Sequence, residues 1–129
     1  FRCSRRFNAS QIMSKKVLKI GHRGAKTYVA ENTIASIEKA LELNVDAIEI
    51  DVHKCASGEL VVFHDFTLDN MTNGTGEVAK HTLEQLKSLK VNNRYEIPTL
   101  EDVLDTIDKK CILNIRTRLD CLKKRLFIF

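Results

Sequence analysis

Apolar and polar residues alternate in four short segments of the chain, which is the pattern of β-strands. In the first segment, Leu18, Ile20 and His22 fall on one face. The last segment is followed by sequence in which no regular pattern continues. The four predicted strands are residues 16–22, 47–53, 59–65 and 111–115.

The second predicted strand carries acidic residues among its apolar ones. Ile48, Ile50 and Val52 share one face, whereas Glu49 and Asp51 share the other. A strand with one face in solvent would show the same alternation. The pattern therefore leaves a surface strand and a functional site as alternatives.

Three helices are predicted between the strands, because apolar residues recur there every three or four positions. The first begins after Asn32 or Thr33 and ends near Leu43, where Asn44 suits a left-handed stop. Strands alternating with helices predict an α/β fold with parallel strands, either a barrel or a doubly wound sheet. The other two helix starts are marked by Thr82 with Gln85 and by Pro98 with Thr99.

Charge is distributed unevenly along the 129 residues, although the net charge is only +4. Residues 31–108 are acidic, and the basic excess lies in residues 1–30 and 109–129. The basic pI therefore does not argue for nucleic-acid binding, although the basic ends leave a nucleic-acid or membrane-surface contact as an alternative. No apolar stretch is long enough to predict a membrane-spanning segment.

The first residues do not predict a secretory signal, because they are polar and basic. Residues 1–12 superficially suit an organelle transit peptide, but we favour upstream sequence with a natural start near Met13. No two of the four cysteines have the C-x-x-C spacing of a zinc or redox motif. We therefore expect a reduced, cytoplasmic setting.

Side chains that can do chemistry stand where three predicted strands end. His22 ends the first strand, Glu49 and Asp51 end the second, and His64 ends the third. The carboxyl ends of parallel strands form the usual ligand site of α/β folds. Two carboxylates on an apolar strand favour a divalent cation, Ca²⁺ or Mg²⁺, and two imidazoles suit proton transfer. With Arg23 as a forked phosphate donor, the set indicates phosphodiester cleavage.

Four motifs in this order and spacing resemble the glycerophosphodiester phosphodiesterases, over about residues 17–115. That family has a (β/α)₈ TIM barrel similar to that of phosphatidylinositol phospholipase C. The resemblance implies an α/β fold holding about the first four barrel strands. It also implies hydrolysis of small-molecule glycerophosphodiesters to glycerol 3-phosphate and an alcohol. The motifs are IGHRGAKTYVAENT (20–33), AIEIDV (47–52), VVFHDFTLDNMTNGTG (61–76) and IPTLEDVL (97–104).

The resemblance also implies a role for each matching residue. Its catalytic acid–base pair corresponds to His22 and His64, and its metal ligands, for Ca²⁺ or Mg²⁺, correspond to Glu49 and Asp51. Arg23 and Glu31 correspond to substrate-binding positions. Asn32 is expected to cap the helix and fix the loop, and Asp65 to orient His64 or be structural. His53 and His81 match no family motif and are expected to be non-catalytic.

The chain departs from the family pattern after the fourth predicted strand. Family members usually read Asn-Ile-Glu-Leu-Lys there, with the Glu as a third metal ligand, whereas this chain has Arg116 at that position and Arg118 in place of the Lys. We therefore expect residues 1–15 to be an extension, 16–115 the N-terminal half of the barrel, and 116–129 an aberrant or truncated basic tail. By this hypothesis the parent protein is the enzyme and this chain is inactive or weak. The alternative is a non-catalytic product that binds phosphate or a partner chain.

Overall fold

The structure is a computed structural model that describes residues 17–118 and the backbone of residues 125–128. Helices lie in the connection between the first two strands and in the connection between the third and fourth, as the alternating pattern predicts. In chain order the elements are β1 Ile20–His22, α1 Ile34–Glu42, β2 Ala47–Lys54, β3 Leu60–Val62, a 3₁₀ turn Val78–Lys80, α2 Leu83–Ser88, α3 Leu100–Ile107, β4 Ile112–Thr117 and β5 Arg125–Ile128.

Strand β2 lies at the centre of the sheet and has parallel neighbours on both sides. Its residue Glu49 stands opposite His22 of β1 and Asn114 of β4, and Asp51 stands opposite Arg116. The parallel pairs β1–β2 and β2–β4 confirm the predicted α/β class. Because the three strands end at the same edge, their last side chains share one rim.

The direction predicted for the third strand is wrong. Strand β3 runs antiparallel to β2, with Val52 opposite Val62. The connection between them, residues 55–59, turns at Gly58, whose φ of 97° suits glycine. A parallel pair needs a crossover of about a dozen residues, which this connection is too short to provide. His64 therefore reaches the rim from a loop after a hairpin and not from a parallel strand.

The helix boundaries follow from their caps. Of the two candidate caps of α1, Thr33 is the N-cap, because its side chain accepts a hydrogen bond from the Ser36 amide. The helix ends before Asn44, which has a φ of 54°, as predicted. The capping box predicted for α2 is confirmed, and Thr99 with Asp102 forms a second one at α3.

The main core lies between the sheet and helices α1 and α3. Ile37, Ile48, Ile50 and Val103 are fully buried in it, which confirms the apolar faces predicted for these elements. A second cluster lies under the loop that follows β3 and anchors that loop to α2. Its fully buried members are Val61, Leu68, Val78, Leu86 and Ile97.

Strand β1 buries its glycine rather than its isoleucine. Leu18 and Ile20 are 53% and 55% exposed, and the buried residue of β1 is Gly21. A Cβ atom at Gly21 would lie 2.6 Å from the carbonyl oxygen of Gly24, so this position requires glycine. The loop after β1 therefore folds tightly against the strand.

The last strands extend beyond the predicted fourth strand. Strand β4 continues to Thr117, and β5 pairs with it antiparallel, with Arg116 opposite Arg125. The extension predicted for residues 1–15 lies outside the described residues, as do residues 119–124 and 129 of the predicted tail. Among the described residues, no helix is both long and apolar enough to cross a membrane.

Candidate active site

Charged side chains from four parts of the chain meet at the carboxyl ends of β1, β2 and β4. On one side, His22 Nε2 lies 3.9 Å from Glu49 Oε1, and on the other Arg116 Nη1 donates to the same oxygen at 3.0 Å. His64 joins them through Arg118, whose guanidinium contacts the His64 ring. The predicted rim is therefore formed, although one of its members arrives from a loop.

Asp51 is the most deeply placed charge of the site, with a side chain that is fully buried. Its Oδ2 lies 3.5 Å from Arg23 Nε, and its Oδ1 lies 3.5 Å from Arg118 Nε and 4.0 Å from Arg116 Nε. Asn32 Nδ2 also donates to Oδ2 at 3.3 Å. Because Asp51 is buried, the surface-strand alternative is excluded. The arginines and Asn32 supply the partners that a buried carboxylate needs.

The loop after β1 holds Arg23 in place. Arg23 Nη1 donates to both carboxylate oxygens of Glu31, at 2.9 and 3.0 Å. Both Arg23 and Gly24 have positive φ values, 54° and 83°, and a Cβ at Gly24 would lie 2.4 Å from Ser36 Oγ. The Ser36 hydroxyl accepts from the Ala25 amide and donates to the Arg23 carbonyl. The His-Arg-Gly sequence therefore suits a tight loop that aims the guanidinium at Asp51.

Hydrogen bonds on both ring nitrogens fix the orientation of His64. Nδ1 lies 2.6 Å from Asp65 Oδ1, and Nε2 faces the guanidinium of Arg118. Because a guanidinium only donates, Nε2 is the acceptor and Nδ1 carries the hydrogen that is donated to Asp65. The contact between Asp65 and the ring supports the orienting role among the two alternatives considered for Asp65.

His53 contributes to the site, although it matches none of the family motifs. It is 3% exposed, and its Nε2 lies 3.2 Å from the carbonyl oxygen of His64, to which it donates. Its ring also meets Phe66 edge to face. Burial, followed by the nearby charge of Arg118, lowers the pKa of His53 below its usual value. A neutral His53 thus supports the backbone of His64, and the alternation Glu49, Asp51, His53 was the signal for it.

Electrostatic surroundings differ between the rim residues. Partial burial, and then the positive charge of Lys26, lower the pKa of His22, although Glu49 opposes them. The hydrogen bond to Glu49 raises the pKa of Arg116 further above its already high value, so this guanidinium stays charged. Within the described residues, Asn114 Oδ1 is buried beside these groups without a hydrogen-bond partner.

The two carboxylates expected to bind a divalent cation are engaged by arginines. Glu49 pairs with Arg116, and Asp51 lies within 4.0 Å of nitrogens of Arg23, Arg116 and Arg118. No group of three or more His, Cys, Asp or Glu residues in the described part of the chain could hold a metal ion. The described residues, as they are arranged, do not fit a divalent cation.

Comparison with known proteins identifies the family of the chain. Residues 22–120 match the family model of the glycerophosphoryl diester phosphodiesterase family. A glycerophosphodiester phosphodiesterase of Caldanaerobacter subterraneus subsp. tengcongensis is 43% identical over 111 residues, which cover 80% of this chain and 46% of that protein. One from Bacillus subtilis is 39% identical over 118 residues, covering 80% of this chain and 40% of that protein.

Solved structures agree with this match and confirm the predicted fold class, a partial (β/α)₈ barrel. An Oleispira antarctica phosphodiesterase, solved with the product sn-glycerol-3-phosphate, is 33% identical with a TM-score of 0.73, and the match covers 77% of this chain and 43% of that one. A glycerophosphodiester phosphodiesterase from Agrobacterium tumefaciens has 34% identity and a TM-score of 0.73, with 78% and 47% covered. The chain spans less than half the length of these relatives. It belongs to the glycerophosphoryl diester phosphodiesterase family.

Proposed function

We propose that the protein carrying this sequence hydrolyses glycerophosphodiesters to glycerol 3-phosphate and an alcohol, with His22 and His64 as the acid–base pair. The observation that carries the proposal is the presence of both imidazoles at one rim, on either side of a group of arginines. The Oleispira relative holds sn-glycerol-3-phosphate, which supports this class of product here as well.

The two histidines, Arg23 and Glu31 each have a task in this reaction. An oxygen nucleophile attacks phosphorus, and the bond between phosphorus and the alcohol oxygen breaks. One imidazole takes the proton of the attacking oxygen, and the other gives a proton to the departing alkoxide. Arg23, held by Glu31, keeps N–H groups that can donate to the phosphate oxygens and stabilise their charge. Asp65 and His53 keep His64 in position.

The dependence on a divalent cation, with Glu49 and Asp51 as ligands of Ca²⁺ or Mg²⁺, stays a prediction. The arginine contacts of both carboxylates speak against it for this chain, and no step of the reaction is assigned to a cation. A cytoplasmic location also stays a prediction.

The acid–base proposal is tested by measuring the release of glycerol 3-phosphate from glycerophosphocholine and glycerophosphoethanolamine. We expect His22→Ala and His64→Ala each to lower the rate by about 10²–10⁴-fold, the usual contribution of a general acid or base. His81→Ala is the matched control, because the hydrogen bond shown for its ring goes to the Glu77 carbonyl oxygen and to none of the rim residues. Full activity in either site variant would remove that histidine from the mechanism.

A second candidate is a non-catalytic chain that binds phosphate. The pairing of Arg116 with Glu49 favours it, because the pair occupies the place where the family resemblance puts a metal ligand. Binding of glycerol 3-phosphate with no turnover of either diester would support this candidate over the enzyme. Turnover that depends on both histidines would exclude it.

A further inference from the structure

We propose that the Arg116 guanidinium takes the place of a divalent cation between Glu49 and Asp51, so that this chain binds phosphate without Ca²⁺ or Mg²⁺. This inference has two halves. The phosphate half, that the chain binds phosphate, rests on the proposed function. The cation half, that Arg116 replaces Ca²⁺ or Mg²⁺, rests only on the contacts of the described residues.

The position of Arg116 is the first step. It stands opposite Asp51 in the register of β2 and β4, and its side chain reaches across to both carboxylates. Nη1 is 3.0 Å from Glu49 Oε1, and Nε is 4.0 Å from Asp51 Oδ1. A single planar cation therefore bridges the two acidic side chains, as a metal ion between them would.

The other charged side chains of the site also disfavour the binding of a metal ion. Asp51 is also approached by Arg23 and Arg118, each with Nε at 3.5 Å, and Glu31 neutralises Arg23 from the other side. Three carboxylates thus face three guanidiniums. A divalent ion would have to expel Arg116 from Glu49 or stand beside its charge, and either is unfavourable in a partly buried site.

Arg116 keeps the means to hold an anion while it pairs with Glu49. Its side chain is 37% exposed at the rim, and a guanidinium carries five N–H donors, of which the Glu49 contact uses one. Forked donors of this kind match the oxygens of a phosphate group. Arg116 can therefore serve both as the counter-ion of Glu49 and as a ligand of the phosphate.

Calorimetric titration of the chain with CaCl₂ and with MgCl₂ tests the cation half. We expect no saturable binding up to ~10⁻³ M, the weak end of protein calcium sites. Arg116→Glu should gain binding of at least about tenfold higher affinity, because it adds a third carboxylate and removes the bridging cation. Arg94→Glu makes the same charge change at an exposed position beside Tyr95 and should gain nothing.

The unsubstituted chain tests the absence of cation binding even if Arg116→Glu fails to fold. The inference would be overturned if the unsubstituted chain bound either ion one to one and Asp51→Asn abolished that binding. So would a folded Arg116→Glu that binds neither ion better than Arg94→Glu does.

Inorganic phosphate tests the other half, titrated once with EDTA and once with excess Ca²⁺ or Mg²⁺. We expect equal affinities in both conditions and a loss of about tenfold or more in Arg116→Gln, which lacks the charged fork. Phosphate binding that requires the metal ion would support the proposed function and overturn this inference. The absence of phosphate binding in both conditions would overturn the proposed function and the phosphate half, while the cation titration still decides the other half.

Discussion

The buried carboxylate of Asp51 is expected to stabilise the fold as well as the site. Its side chain is fully buried, and a guanidinium nitrogen lies 3.5 Å from each of its oxygens, from Arg23 on one side and from Arg118 on the other. Asp51→Asn keeps the size and the hydrogen bond between the residue 51 amide and Asn32 Oδ1, but it removes the charge. Arg23 would keep Glu31 as a counter-ion, whereas Arg118 would lose the carboxylate that lies 3.5 Å from its Nε.

The size of the effect follows from the burial of the partners. Removing one member of a buried ion pair costs roughly 3–5 kcal/mol when the remaining charge stays dry. The side chains of Arg23 and Arg118 are 16% and 23% exposed, so water reaches part of the charge that is left behind. We therefore expect Asp51→Asn to lower the free energy of unfolding by about 2–3 kcal/mol. The midpoint temperature would fall by roughly 5–10 °C for a chain of this size.

Urea unfolding followed by circular dichroism measures this difference. The matched control is Glu42→Gln, which removes the carboxylate of an exposed pair with Lys39 and should cost less than ~0.5 kcal/mol. The slope of the unfolding free energy against urea should stay the same in both variants. If Asp51→Asn costs no more than Glu42→Gln, or stabilises the chain, the assignment of Asp51 as the charge centre of the site is refuted.

Two further stability measurements test the loop after β1 and the cap of α3. Gly24→Ala should lower the free energy of unfolding in urea by at least ~1 kcal/mol more than Gly58→Ala does. Both glycines have positive φ, but only a Cβ at Gly24 would meet Ser36. Equal costs would contradict the tight loop. Burial alone would raise the pKa of Asp102, but hydrogen bonds from Lys87 and Thr99 outweigh it and lower the pKa below 3.8. Its stabilising effect should therefore be present above about pH 4 and vanish as pH falls through the lowered pKa. At neutral pH, Asp102→Asn should lower the free energy of unfolding by less than ~1 kcal/mol, because the side chain is half-exposed. This difference between the two chains should shrink as the pH falls. A difference that stays constant with pH would contradict the stabilising role of the Asp102 carboxylate.

The faces of the central strand were predictable from the sequence, because the alternation of apolar and acidic residues has only one arrangement that buries the apolar ones. Ile48 and Ile50 pack on the helices, and Glu49 and Asp51 point to the rim. The helix starts were predictable for the same local reason, since a capping side chain and its amide partner lie within three residues.

Relations between distant residues were harder to predict. The pairing of Arg116 with Glu49 depends on the register of β4 against β2, which periodicity does not specify. The direction of β3 depends on the length of the connection from β2. That connection is too short for a parallel crossover, although the alternation of strands and helices predicts parallel strands. His53 matches no family motif, although the alternation along β2 places it on the same face as Asp51.

Glycerol 3-phosphate titrated into the chain, with the imidazole resonances of His22 and His64 followed by NMR, tests most directly whether the two rings share one phosphate site. The proposed site predicts that the resonances of both rings shift and saturate with the same dissociation constant, while those of His81 do not move. Resonances of only one ring shifting, or two different constants, would contradict a shared site.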